Sequence, residues 1–108
     1  MPIPERLQPI LAELKRGLQE IYGDRLRAVV LFGSQARGEG TEDSDVDVAV
    51  VLDDFENAYS EANRYADLLY DLLATHQELV TSVPMKEREW RECDWTLYRN
   101  VRREGVVL

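Results

Sequence analysis

Two aspartates, Asp45 and Asp47, stand at alternate positions at the start of an apolar run that ends at Leu52. Alternate residues of a β-strand point to the same face, so the two carboxylates are predicted to project side by side while the valines face the core. Adjacent carboxylates repel each other unless a positive charge lies between them. Their oxygens suit a hard divalent cation such as Mg²⁺ or Mn²⁺, which also binds water and substrate phosphates. The pair therefore predicts a metal site.

A Gly-Ser pair, Gly33 and Ser34, directly follows an earlier apolar run over residues 26–32. Gly33 lacks a Cβ and so allows a ligand to come close to the backbone. Ser34 supplies a hydroxyl group and is predicted to begin a short helical turn, whose free N–H groups attract phosphate. If the two apolar runs are neighbouring strands, this pair and the aspartates meet at one end of a sheet. A nucleoside triphosphate and its cation would fit between them.

Two further polar residues of the same segment have alternative roles. Arg37 is either a phosphate clamp or a surface charge, and its place one helical turn after Gly33 favours the clamp. Ser44 either binds phosphate or forms a turn that orients the loop. A calcium-binding EF-hand loop beginning at Asp43 is excluded, because its sixth position requires glycine and here holds Val48, inside a β-branched run.

Strands and a loop must position these groups, and the rest of the chain has the patterns of an α/β or α+β domain. Apolar residues at three- and four-residue spacing predict helices over residues 4–22 and 56–75. Apolar, β-branched runs predict strands over residues 26–32, 45–52 and 78–83, the last ending at Pro84. One or two short helices are expected within residues 86–103, followed by a short apolar tail. This order predicts a small mixed sheet flanked by helices.

The composition favours one small globular domain. The 108 residues, taken as a single domain over residues 1–108, suffice for one core and not for two. A formal net charge of −8 repels polynucleotide phosphates and anionic membranes, so stable nucleic-acid binding is not expected. The single cysteine excludes an internal disulfide and fits a reducing cytoplasm. The apolar runs are too short to cross a bilayer, so no membrane association is expected.

The motif as a whole resembles a known family. Gly33-Ser34, ten residues and then Asp45-Val46-Asp47 is similar to the signature of the DNA polymerase β-like nucleotidyltransferases. The longer string GSQARGEGTEDSDVDVAVV resembles the minimal nucleotidyltransferases, the MNT family, whose small members are often partnered with HEPN-domain proteins. The resemblance implies the polymerase β-like nucleotidyltransferase fold, a triphosphate held by Gly33 and Ser34, and Mg²⁺ bound by Asp45 and Asp47. It also implies transfer of a nucleoside monophosphate from a triphosphate.

Glu78 is the candidate for a third acidic ligand. Better-known members of the superfamily carry a third carboxylate on a later strand, and Glu78 stands at the start of the third predicted strand. Two Mg²⁺ ions would stabilise the entering and leaving oxygens during in-line phosphoryl transfer, and something must help to deprotonate the acceptor hydroxyl. No local motif identifies Glu78, however, and a solvated residue at a strand start is an equally good interpretation.

The acceptor is expected on a partner protein or a small molecule, because polymerases with this catalytic centre carry further nucleic-acid-binding domains for which this length has no room. The resemblance favours transfer of AMP from ATP to a tyrosine hydroxyl of a HEPN toxin, with this chain acting as antitoxin. Two alternatives stay open. One is a catalytically weak nucleotide-binding module that neutralises its partner by steric contact. The other is modification of a small molecule, as in aminoglycoside nucleotidyltransferases, which normally add a helical domain.

Overall fold

The structure, a computed structural model, describes residues 3–41 and 43–108. Its strands are β1, Leu26–Phe32; β2, Val46–Leu52; β3, Val80–Lys86; and β4, Val106–Val107. Its helices are α1, Gln8–Tyr22; α2, Ser34–Arg37; α3, Ala58–Arg64; α4, Ala66–His76; α5, Glu87–Glu92; and α6, Thr96–Glu104. Short 3-10 turns, Glu5–Leu7 and Gly23–Arg25, precede and follow α1.

The strands form one mixed sheet in the order β3-β2-β1-β4. β1 is antiparallel to both β2 and β4, whereas β2 and β3 are parallel and are connected through α3 and α4. Helices pack against both faces, so the predicted fold class, a small mixed sheet flanked by helices, is confirmed. Because β1 and β2 run in opposite directions, the turn that ends β1 lies beside the first residues of β2.

One face of the sheet packs against α1 and α4. The inward residues of β2 are fully buried there, against a stripe of leucines that recurs every three or four residues along α1. These β2 residues are Val46, Val48, Val50 and Leu52. Burying each such side chain contributes about 1.5–3 kcal/mol relative to leaving it exposed. The apolar set therefore fixes the register of β2 and directs Asp47 to the opposite face.

The opposite face is covered by α5 and α6 over most of its length. Its buried residues are Val30, Ala49, Val51, Met85 and Val101. Apolar side chains thus occupy both faces of β2 from Val48 onward. Polar side chains on the second face are confined to the beginning of the strand, where Asp47 lies.

Two predicted elements are wrong in their extent. One helix was expected over residues 56–75, but α3 and α4 are separate helices that meet at Tyr65, whose ψ of 9° interrupts the helical backbone. The third strand was expected to end at Pro84, but β3 runs from Val80 through Pro84 to Lys86. The reason is that β3 is an edge strand, where the N–H that proline lacks is not needed for pairing.

The C-terminal part of the chain adds the other edge of the sheet. α5 and α6 are the two short helices expected within residues 86–103, although α6 continues to Glu104. The apolar tail forms β4, with Val107 opposite Val30 and Val106 opposite Leu31. No helix in the part of the chain that the structure describes is long and apolar enough to span a membrane.

Candidate nucleotide and metal site

The Gly-Ser turn lies directly against Asp47. β1 ends at Phe32, which is opposite Asp47 in the register of β1 and β2. Gly33 then adopts a positive φ of 75°, and α2 begins at Ser34. A Cβ at Gly33 would collide with Oδ2 of Asp47, so glycine is what lets the turn and the carboxylate lie this close. The two parts of the sequence motif are therefore brought together in space.

Backbone hydrogen bonds form the first turn of α2. The N–H groups of Ala36 and Arg37 both donate to the carbonyl oxygen of Gly33, each at 3.1 Å. The hydroxyl group of Ser34 makes no hydrogen bond to residues 3–41 or 43–108. Ser34 therefore offers a hydroxyl group to a ligand at the turn.

The two aspartates differ in their surroundings. Asp45 is exposed and precedes β2, whereas Asp47 is half-buried within it, and Val46 between them is fully buried in the core. The Oδ1 atom of Asp47 accepts a hydrogen bond from Thr81 Oγ1 at 2.5 Å. The other carboxylate oxygen, Oδ2, faces Gly33. Asp47 is thus fixed between β3 and the Gly-Ser turn.

Glu78 has a different neighbour. It lies two residues before β3, and its Oε1 atom forms an ion pair with Arg6 Nη1 at 2.5 Å. The same guanidinium donates from Nη2 to the carbonyl oxygen of Thr41 at 2.9 Å. No group of three or more His, Cys, Asp or Glu side chains among the described residues is arranged to hold a metal ion. A role for Glu78 as third ligand stays a prediction. In that role the metal ion would have to compete with Arg6 for the Glu78 carboxylate.

Arg37 and Ser44 are also engaged by protein groups. Nη1 of Arg37 lies 3.0 Å from Glu104 Oε2, and Nε lies 3.4 Å from the Glu39 carboxylate. The hydrogen bond that Arg37 donates to Glu104 raises the pKa of Arg37 above its usual value, so the side chain stays charged. Ser44 Oγ accepts a hydrogen bond from the Thr41 N–H at 2.9 Å and so closes a turn. Contact with phosphate stays a prediction for both side chains.

Two residues of the site were not found from the sequence. Gln35 is buried, with 2% of its surface exposed, and its Nε2 donates to the carbonyl oxygens of Thr41 and Ser44 at 3.1 and 3.3 Å. Thr81 is the partner of Asp47 across the parallel pair of β2 and β3. Gln35 lies within the family-like string, but no role was predicted for it, and Thr81 lies outside that string; the contacts of each depend on a partner that folding brings close.

Residues 11–108 match the family model described as a nucleotidyltransferase domain. A relative from Methanocaldococcus jannaschii, named "Putative protein adenylyltransferase MJ0604", is 33% identical over 100 residues. The matched region covers 91% of this chain and 93% of the relative. The chain and this relative therefore correspond over nearly their whole lengths.

Two solved structures have a similar fold. A chain in a crystal structure of a toxin-antitoxin with AMP-PNP superimposes with a TM-score of 0.64 at 22% identity, over 89% of this chain and 69% of that chain. A chain in the structure of the tri-AMPylated Shewanella oneidensis HEPN toxin in complex with MNT antitoxin gives a TM-score of 0.56 at 20% identity. That match covers 94% of this chain and 67% of the other. At these identities the likeness is one of fold.

Proposed function

Because the chain belongs to the nucleotidyltransferase domain family, we propose that it transfers AMP from ATP to a hydroxyl group of a partner protein. The contact between the Gly33 turn and the Asp47 carboxylate carries the proposal, because it joins a phosphate-binding turn to a cation ligand. The name of the M. jannaschii relative supports both the adenylyl group and a protein acceptor.

The side chains at the site fit a divalent cation. Asp45 and Asp47 offer carboxylate oxygens, the donors that Mg²⁺ prefers, and the missing Cβ of Gly33 lets Asp47 Oδ2 lie directly against the Gly-Ser turn. In the proposal these aspartates bind Mg²⁺, with two ions expected, while Gly33 and Ser34 hold the triphosphate. When bound, the cation would neutralise phosphate charge and stabilise the transferring group. Glu78 could bind the cation only if its ion pair with Arg6 breaks. Likewise, Arg37 could bind phosphate only if its ion pair with Glu104 breaks.

The proposed reaction is a single displacement at the α-phosphorus of ATP. The acceptor oxygen forms a bond to that phosphorus, the bond to the β-phosphate oxygen breaks, and pyrophosphate leaves while the acceptor hydroxyl loses its proton. The chain's contribution is to hold the triphosphate at the turn and to align the acceptor, because positioning and charge stabilisation dominate catalysis of this reaction type.

The proposed acceptor is a tyrosine of a HEPN-domain toxin, which makes this chain the antitoxin of the pair. Two observations support this choice. The fold is similar to that of a chain in a complex between an AMPylated HEPN toxin and an MNT antitoxin. The net charge of −8 also opposes a polynucleotide acceptor, because both molecules carry a large negative charge.

An isotope experiment tests the transfer. The chain is incubated with Mg²⁺ and a candidate HEPN-domain protein from the same organism, with ATP labelled at either the α- or the γ-phosphate. We expect label in the partner only from the α-labelled ATP. Asp47→Asn should lose about 100-fold or more in rate, because it removes a carboxylate that would hold the cation which stabilises the transferring group. Label from γ-labelled ATP would indicate a kinase, and no label from either would contradict the proposal.

Steric neutralisation is the second candidate, and the site gives it one specific support. Glu78 is paired with Arg6, and no group of three or more His, Cys, Asp or Glu side chains among the described residues is arranged to hold a metal ion. In that case the double variant Asp45→Asn and Asp47→Asn would still protect cells from the toxin as well as wild type does. Under the adenylyl-transfer proposal the same variant binds its partner but loses protection.

A further inference from the structure

We propose that Thr81 is a positioning residue, which orients Asp47 so that one carboxylate oxygen is presented to the cation at the Gly33 turn. The inference rests on the proposed function, because it concerns the same site. It names a group on β3 that neither the sequence motif nor the family match identifies.

The first step is the register of the parallel strands. Thr81 is opposite Asp47 in the pairing of β2 with β3, and both side chains lie on the sheet face that α5 and α6 cover farther along. Thr81 Oγ1 donates to Asp47 Oδ1 at 2.5 Å, although the two residues are 34 positions apart in the chain. A hydroxyl group of β3 is therefore within hydrogen-bonding distance of the Asp47 carboxylate.

The two carboxylate oxygens of Asp47 have different neighbours. Oδ1 is held by Thr81, while Oδ2 lies against Gly33, so close that a Cβ there would collide with it. Fixing Oδ1 restricts rotation of the carboxylate, so Oδ2 is the oxygen left for a cation beside the phosphate-binding turn. A hydrogen-bond donor behind a metal ligand orients it and tunes its affinity, and losing such a partner costs about 10- to 100-fold in metal affinity or activity.

A second hydroxyl group on β3 distinguishes the positioning of Asp47 by Thr81 from a general contribution of hydroxyl groups to the stability of the strand. Ser82, the next residue of the strand, also carries a hydroxyl group, but its Oγ donates to the hydroxyl oxygen of Tyr65 at 3.0 Å on the other face of the sheet. Ser82→Ala thus removes one hydroxyl group and one hydrogen bond from β3 without touching Asp47. It is the matched control for Thr81→Val.

The test measures Mn²⁺ binding, by electron paramagnetic resonance of the free ion, in the presence of AMP-PNP. We expect Thr81→Val to weaken Mn²⁺ binding about 10-fold or more, Thr81→Ser to retain most of it, and Ser82→Ala to bind as wild type does. In the transfer assay Thr81→Val should need more Mg²⁺ for its half-maximal rate, with a smaller change in the rate at saturating Mg²⁺.

Several outcomes overturn the proposal. They are unchanged Mn²⁺ binding in Thr81→Val, an equal loss in Ser82→Ala, failure of Thr81→Ser to rescue binding, or no Mn²⁺ binding by wild type. Thermal melting checks folding, and Thr81→Cys, whose thiol is a weak donor, replaces the valine variant if that one unfolds. If wild type binds Mn²⁺, Thr81→Val weakens that binding and wild type labels no partner, the proposed function alone is contradicted. Wild type that labels its partner while Thr81→Val binds Mn²⁺ normally contradicts this inference alone.

Discussion

At the scale of single residues, the site depends on the absence of a Cβ atom at Gly33. Gly33 has a φ of 75°, and a carboxylate oxygen of Asp47 lies so close that a Cβ would collide with it, so two separate reasons exclude any larger residue. Positive φ at this ψ, −158°, is a region that essentially only glycine occupies. The glycine of the Gly-Ser pair is therefore required by the backbone as well as by the ligand-binding geometry.

Gly33→Ala tests these two reasons against each other. The strained backbone should cost of order 1–3 kcal/mol of stability, and displacement of Asp47 should weaken binding of Mn²⁺ with AMP-PNP. Gly23→Ala is the matched control, because Gly23 has a φ of 57° and, apart from its chain neighbours, no atom of the described residues lies within 4 Å of its Cβ position. Calorimetric titration and thermal melting of both variants should show two destabilised proteins, of which only Gly33→Ala has lost affinity. Equal affinity in the two variants would contradict the assigned contact.

At the scale of elements, the loop between α2 and β2 decides where Asp45 stands. Gln35 on α2 donates to the carbonyl oxygens of Thr41 and Ser44, and Arg6 donates to the same Thr41 oxygen from the N-terminal 3-10 turn. Ser44 closes the loop from within by accepting from the Thr41 N–H. Side-chain hydrogen bonds thus take the place of a regular element in holding this part of the site.

Gln35→Met keeps the length of the side chain and removes its hydrogen bonds to the loop. Two hydrogen bonds of about 0.5–1.5 kcal/mol each are lost, but removal of Gln35 Oε1, which is buried without a partner among the described residues, offsets part of that loss. We expect a small change in global stability, faster amide hydrogen exchange over residues 39–45, and weaker nucleotide binding. Gln19→Met, at an exposed position of α1, is the control. A large loss of global stability with unchanged loop exchange would contradict the assignment.

At the scale of the whole molecule, two tyrosines join the helical layer to the sheet. Tyr22 ends α1 and donates to the carbonyl oxygen of Glu61, and Tyr65 lies at the break between α3 and α4, with the two rings 6.4 Å apart. Burial and the nearby Glu61 carboxylate raise the pKa of Tyr22, and burial likewise raises the pKa of Tyr65. Ionisation of either phenol is therefore resisted by the folded state.

This arrangement predicts a loss of stability in alkaline solution. A phenol whose pKa is higher in the folded than in the unfolded state contributes full stability below pH about 10, and that contribution falls as the pH rises further. Tyr22→Phe removes one such group, so its free energy of unfolding should decline less steeply above that pH. Tyr59→Phe, at a ring with 76% of its surface exposed, should follow the wild-type profile in urea unfolding series. Parallel profiles for all three proteins would contradict the prediction.

Several parts of this protein are specified by short stretches of its sequence. The alternation of Asp45 with buried valines, the glycine that ends β1 and the apolar strand over residues 26–32 each depend on the period or conformation of a few consecutive residues. Those local signals predicted the strands and the turn. The meeting of the Gly-Ser pair with Asp47 was predicted only if the two strands are neighbours, and the antiparallel pairing of β1 with β2 meets that condition. The requirement for glycine at position 33 is also local, because no other residue suits the backbone conformation there.

The tertiary structure decided which side chains surround that motif. Thr81 meets Asp47, Arg6 meets Glu78, and Arg37 meets Glu104 across separations of 34, 72 and 67 residues. Each contact depends on the register of a parallel strand pair or on where a helix packs, and both are set by burial of apolar surface over the whole chain. Local patterns contain no information on such pairings, which is why Glu78 was the acid expected at the site and Thr81 was not.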